Sequence, residues 1–244
     1  MFKVGRCVFI ILSLSVMTGC VTYYNPVSQR EERTLVSESM EIRLGRIARS
    51  SLEREYRVHK SPRLWEIGEK IVRVSHRPYL PYEFKEMEEK RVNAVSFPGG
   101  FIYVTSGLLR MADENELAGV LSHEIAHVNL RHGVKKLQSY WGYTFLSSLL
   151  FSREKEELLK WADTAYRIIS LGYSRRDELE ADRLGTYYLE KAGYPTEGLL
   201  RFLKKLQKKE KINPFPFLII LSSHPSLKER IEKLESILEK GERK

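Results

Sequence analysis

Cysteine is nearly missing from this chain. There are two in 244 residues, Cys7 and Cys20, and Cys7 lies in a short apolar segment of the kind that is removed on export. The mature chain then keeps a single thiol, which excludes an internal disulfide. A run long enough to cross a bilayer is missing from the rest of the chain. The stickiest stretch, "WGYTFLSSLLF" (141–151), is eleven residues long, which suits a buried helix turn, a lid or an interfacial patch. Internal repeats and low-complexity tracts are absent too, which excludes solenoids and compositional linkers. No nucleic-acid-binding module is recognisable, and basic residues alternate with acidic ones throughout, so nucleic acid is not expected as a partner. A hydrophobic fraction of 42% against 30% charged residues is that of a globular chain, long enough for one sizeable domain or two small ones.

The N-terminus carries an address. "MFKVGR" is positive, "CVFIILSLSVM" is apolar, and "TGC" closes the segment with small residues, the three regions of a secretory signal peptide over residues 1–19. "MTGC" also fits the lipobox of bacterial lipoproteins, with Met17 where leucine is more usual. In such proteins the cysteine, here Cys20, is lipidated and becomes the new N-terminus. A lone thiol in an oxidising compartment is a liability, whereas a thioether-linked lipid is not. Val21 is not the aspartate that retains lipoproteins in the inner membrane, so a lipid anchor in the outer membrane, facing the periplasm, is the expectation. The net charge of +9 includes Lys3 and Arg6. Without them 39 basic side chains face 32 acidic ones, a balance that favours anionic surfaces such as lipid headgroups. Residues 20–40 are expected to form a short tether, and 41–244 the folded domain.

Periodicity predicts a mainly helical α+β domain. "TLVSESMEIRLGRIARSSLEREY" has helical spacing, and "SPRLWEIGEKIVRVS" starts with Ser61 as cap and Pro62 at the first helical position. "YEFKEMEEKRVNAVSFPGGFIYVTSGLL" reads as strands of a small antiparallel sheet, with Pro98, Gly99 and Gly100 as a turn. "DENELAGVLSHEIAHVNLRHGVKKL" reads as one helix, with Asp113 and Glu116 as a capping box. Further helices are expected over residues 161–194, with a break near Gly172, over "EGLLRFLKKLQKKE", and over "LKERIEKLESILEK".

His123 and His127 stand four residues apart on one helical face, about 6 Å along the axis, so both imidazoles reach one zinc ion. Glu124, beside His123, can take a proton from a water on that metal. An accidental HExxH in a chain of this length has a chance on the order of one in a hundred. The flanking Leu121, Ile125, Ala126 and Val128 also place the helix in a core rather than on a solvated surface. A third ligand is still needed. His132 is out of register: the extended motif would need glycine at 130 and histidine at 133, where Leu130 and Gly133 stand. Nine residues beyond His123 is also the far side of the helix, so His132 is expected at a surface or helix end. "DELEADRLG" offers Glu178, Glu180 and Asp182, of which Glu178 and Asp182 share a face and Glu180 points elsewhere. A carboxylate ligand with a second carboxylate one turn on fits a division of labour in which the second holds a ligating histidine by its other ring nitrogen.

With these residues in view, the chain resembles a family. "VNAVSFPGG", "ELAGVLSHEIAHVNLRH", "LGYSRRDELEADRLG" and "SSHPSLKERI" match, in order, motifs of the gluzincin zinc metallopeptidases that include HtpX, the CAAX prenyl endopeptidases and mitochondrial Oma. The likeness is greatest to the envelope lipoprotein branch of the BepA and LoiP type. It covers about residues 41–234. The resemblance implies a zincin-like fold and one Zn2+ per chain bound by His123, His127 and Glu178, with Glu124 as base and Asp182 behind a ligand. It also implies hydrolysis of peptide bonds in unfolded or misassembled envelope proteins, a quality-control role. No tetratricopeptide array follows the domain, and HtpX's transmembrane helices have no counterpart. The strand holding Asn93 and Ala94 could be an edge on which a substrate pairs as an added strand, or an ordinary edge of a small sheet. His224, which precedes Pro225 where the family has the same pair, is expected close to the zinc. There it could stabilise an oxyanion or occupy the open position and keep the enzyme latent. The rival reading is a zinc-stabilised chaperone or scaffold with latent protease activity.

Overall fold

The structure is a computed structural model that describes residues 21–151, 155–212, 220, 224 and 226–240. The expected signal peptide, Cys7, Cys20 and most of the apolar loop "NPFPFLIILSS" lie outside the described residues. Within the expected tether, β1 (Val21–Asn25) pairs antiparallel with β2 (Arg30–Thr34) as a hairpin. The first helix, α1 (Glu38–Glu55), starts at Ser37, whose hydroxyl accepts from the Met40 amide. Next come β3 (Val58–Lys60) and α2 (Pro62–Arg73), which has Pro62 at its start but no side-chain bond from Ser61.

Three more strands follow: β4 (Glu83–Met87), β5 (Ala94–Phe97) and β6 (Phe101–Thr105). The sheet order is β3-β4-β6-β5. From β4 the chain runs to the outside as β5, then turns back into β6 through Gly99 and Gly100, whose φ values of 82° and 98° suit glycine. That path makes β6 parallel to β4 and antiparallel to β5, so the sheet is mixed and not purely antiparallel as expected. Strand order depends on non-local pairing, which the local pattern does not encode.

Every residue of β6 is buried, and alternate residues serve different cores. Ile102 and Val104 join a cluster with Leu64, Ile71, Leu121 and Ile125. Phe101 and Tyr103 join one with Leu44, Leu52, Leu137 and Ile169. The sheet is thus a wall between two helical layers. Beyond it lie α3 (Ser106–Met111), α4 (Glu114–Asn129), α5 (His132–Phe151), α6 (Lys155–Ser170), α7 (Arg175–Lys191), α8 (Gly198–Ile212) and α9 (Leu227–Lys240). Among the described residues no helix is long and apolar enough to cross a membrane.

The helix expected over residues 113–137 is two helices. Arg131 has φ 57°, in the left-handed region, and separates α4 from α5. That conformation is costly outside glycine and persists where neighbours over-determine it. Here the Arg131 guanidinium donates to the Val36 carbonyl (2.6 Å), pairs with Glu41 (3.0 Å) and lies 5.1 Å from the Tyr23 ring. Glu41 is fully buried, and it also accepts from Arg77 at 2.8 and 3.0 Å and from the Gly99 amide at 3.4 Å.

Candidate metal centre and active site

Helix α4 is buried on all sides from Glu116 to Asn129, so a polar group on it must find a buried partner. Its start is fixed by the capping box of Asp113 and Glu116. Helix α7 lies against it where Gly185 approaches His123: a Cβ at position 185 would be 3.1 Å from the His123 amide nitrogen. That close contact sets the α7 carboxylates opposite the α4 imidazoles. Glu178 Oε2 is 3.5 Å from His123 Nε2, and its Oε1 is 3.4 Å from His127 Nε2. The two Nε2 atoms are 3.0 Å apart.

His224 enters from the far side. The Ile220 amide donates to the Val92 carbonyl (3.1 Å) and the His224 amide to the Ile220 carbonyl (2.8 Å), which ties His224 through Ile220 to the residues just before β5. His224 Nδ1 then lies 3.1 Å from Glu178 Oε1 and 3.3 Å from His123 Nε2. Imidazole lone pairs and a carboxylate converging in a dry interior make sense around a cation. A tetrahedral ion with bonds of about 2.0–2.1 Å keeps its ligand atoms roughly 3.3 Å apart, and the distances among these atoms run from 3.0 to 3.5 Å. Two or three imidazoles with one carboxylate is a donor set that suits zinc.

Charge around this point is arranged to keep the carboxylates ionised. Burial raises Glu178, but the charges of His224 and Arg230 outweigh it and hold its carboxyl well below the usual range. Asp182 follows the same pattern: burial pushes it up, and Arg230 and His123 bring it down. Asp182 Oδ1 meets His123 Nδ1 at 2.9 Å, and Arg230 grips both Asp182 oxygens at 2.7 and 2.8 Å and Glu178 at 2.8 Å. For His123, burial and Arg230 press the imidazole down, but Asp182 and Glu178 prevail and raise it to about 9. Burial and the neighbouring His123 charge push His127 far down, which leaves it a neutral ring with a lone pair to give.

Glu124 is 1% exposed, and neither of its carboxylate oxygens has a hydrogen bond. Such an orphan calls for an explanation. It faces His224 Nε2 at 3.5 Å and a cavity of about 70 Å³ whose walls include Asn93, Ala94, Val95 and Ser96 of the β5 side and Tyr166, Ile169 and Ser170 of α6. β5 is an edge strand of its sheet, with Ala94 paired to Val104 and the Asn93 carbonyl accepting from the Thr105 amide.

The structure therefore brings His123, Glu124, His127, Glu178, Asp182 and His224 together and sets Asn93 and Ala94 along the adjoining cavity. His132 was expected at a surface or a helix end: it is the first residue of α5, but it is not at the surface, being 1% exposed with its Nδ1 2.8 Å from His127 Nδ1, because the turn at Arg131 swings it back beneath the end of α4. Glu180 points to His132 and away from the metal position. Arg230 and Tyr173 were not anticipated. Tyr173 stacks on His127 with ring centroids 4.2 Å apart, and burial drives its phenol pKa well up. Arg230 had a signal, since it sits on the apolar stripe of α9 with Leu234 and Ile237.

Comparison with known proteins agrees with this geometry. Residues 58–238 match peptidase family M48. The chain is 28% identical over 178 residues to the beta-barrel assembly-enhancing protease of Escherichia coli, covering 68% of this chain and 36% of that protein. To the mitochondrial metalloendopeptidase OMA1 of Schizosaccharomyces pombe it is 27% identical over 227 residues, covering 88% and 66%. To the metalloprotease YcaL of Escherichia coli it is 28% identical over 168 residues, covering 66% and 64%. The chain thus spans about a third of the first of these relatives and just under two thirds of the other two.

Proposed function

The chain belongs to peptidase family M48, and from that premise we propose that it is a zinc-dependent endopeptidase of the bacterial cell envelope. The observation that carries the reading is the convergence of His123, His127 and Glu178 beside the unpaired carboxylate of Glu124. Zinc held there supplies a Lewis acid that polarises the scissile carbonyl and acidifies a water. His123, His127 and Glu178 bind the ion, and Asp182, fixed by Arg230, orients His123. Glu124 takes the water's proton and delivers it to the leaving amine, a role its lack of competing hydrogen bonds favours. An extended substrate pairs along the β5 edge by Asn93 and Ala94, its side chains entering the neighbouring cavity.

Such backbone-led recognition suits unfolded or misassembled envelope proteins, and relatives named for beta-barrel assembly support substrates of that kind. The purified protein should carry one zinc per chain and cleave casein, and 1,10-phenanthroline should stop it. Zinc-loaded protein that leaves casein intact would favour the scaffold reading, and protein without zinc would end both. The anchor is proposed on the "MTGC" segment. Cys20→Ser should release the protein from membranes, and retention through a salt wash would point to another attachment.

His224 supports a latent form. Its Nδ1 lies as near to Glu178 and His123 as a fourth ligand would. A residue filling the position that catalysis needs open keeps the protease idle until it is displaced. His224→Ala is expected to raise casein cleavage. A fall would assign His224 to the transition state, and an unchanged rate would remove it from the site.

A further inference from the structure

Each metal-facing imidazole of α4 has a second ring nitrogen, and the two are held by different devices. His123 Nδ1 meets a carboxylate, Asp182, at 2.9 Å. His127 Nδ1 meets another imidazole, His132 Nδ1, at 2.8 Å. His132 is buried, and its far nitrogen, Nε2, has no hydrogen bond and lies 3.5 Å from Asp177 Oδ1 and 3.6 Å from Glu180 Oε2. Glu180 is itself held by Arg176 at 2.8 Å.

Counting protons decides what this chain of groups does. With His127 Nε2 turned to the metal position, its lone pair is committed, so its proton sits on Nδ1 and is donated to His132. His132 Nδ1 must then be the acceptor, which puts the proton of that ring on Nε2, facing Asp177 and Glu180. One tautomer of each ring satisfies the His127–His132 hydrogen bond and turns the remaining N–H towards the two carboxylates. The same three groups, His132, Asp177 and Glu180, could be taken for a second cation site. An ion there would use the Nε2 lone pair and leave His132 with no proton at all while Nδ1 still accepts, an imidazolate. The proton count therefore favours a hydrogen-bonded chain over a second ion.

We propose that His132 is a positioning residue that fixes the tautomer and ring plane of His127, with the carboxylates of Asp177 and Glu180 facing its far N–H. This rests on the zinc reading of His123, His127 and Glu178 above. Two further features serve the same end. The left-handed Arg131, held by Glu41 and Val36, delivers His132 to this place, and Tyr173 stacked on His127 resists rotation of its ring.

The test measures zinc affinity by competition with a chromophoric chelator, alongside kcat and KM on casein and the melting temperature of metal-free protein. His132→Ala should weaken zinc binding about 10- to 100-fold. His132→Asn, whose Oδ1 takes the place of the accepting Nδ1, should recover most of that affinity. His132→Gln, whose carbonyl replaces Nε2 instead, should not. A merely structural role would lower the metal-free melting temperature of the Asn and Gln variants without separating their zinc affinities. Equal affinity in the Asn and Gln variants, or an alanine variant that binds zinc like the wild type, overturns the proposal. A wild type that binds no zinc fails the reading of the site itself, and is seen before any variant is made.

Discussion

The two walls of the site are made of opposite materials. On the side of α7 and α9, Glu178, Asp182 and Arg230 are buried: Arg230 holds both carboxylates at 2.7–2.8 Å, and Asp182 meets His123 at 2.9 Å. On the side of β5 and α6, the cavity is mostly apolar, lined by Leu52, Met87, Ala94, Val95 and Ile169. The first wall holds charge at one point, because a buried ion is tolerated only where its partners are fixed. The second leaves space beside β5, an outer strand of its sheet, where the extended substrate is proposed to lie. Glu124 stands where they meet, buried like the first wall, without a hydrogen bond, and facing the space of the second. A base must be dry enough to be strong and free enough to take a proton.

The comparison breaks first at that junction. Glu124→Gln keeps the shape and removes the proposed base. Casein turnover should fall by about 10²- to 10⁴-fold while zinc content and melting temperature stay those of the wild type. Full turnover would take Glu124 out of the reaction. The charged wall should be the next most sensitive. Arg230→Met leaves Asp182 and Glu178 buried without their cation and should cost about 3–5 kcal/mol in urea unfolding of the metal-free protein. A cost near that of an exposed change such as Glu232→Ala, within about 0.5 kcal/mol, would mean the carboxylates do not depend on it. The apolar wall should respond most mildly. Ser170→Phe crowds the cavity and should raise KM roughly tenfold, about 1.4 kcal/mol of lost binding, with zinc content unchanged. Loss of zinc from that variant would show the walls are not independent.

What the sequence makes legible follows from distance along the chain. The capping box, the shared face of His123 and His127, and the pairing of Glu178 with Asp182 are all set within one or two helical turns, so helical periodicity finds them. The break near Gly172 was also readable, and there φ is 81°. The turn at Arg131 was not, because its left-handed backbone is held by Val36, Glu41 and Tyr23, about ninety residues or more upstream. Treating residues 113–137 as one helix then put His132 on the wrong side. The parallel pairing of β4 with β6 and the stacking of Tyr173 on His127 escape for the same reason. Arg230 was visible as a charge on an apolar stripe, but only the fold shows which carboxylates it serves.

Glu41 has a bearing on how a chain with the proposed activity survives itself. Its single carboxylate joins Arg77, the Gly99 amide and Arg131, stretches far apart in the sequence. Contacts of such long range must overcome loop-closure entropy before they form. Cleavage of a folded chain depends on how often a segment opens, and frayed, weakly held segments open most. A junction that ties the first helix to the turn beneath His127 keeps those openings rare around the centre. The protein thereby offers its neighbours few of the extended segments proposed above as substrate.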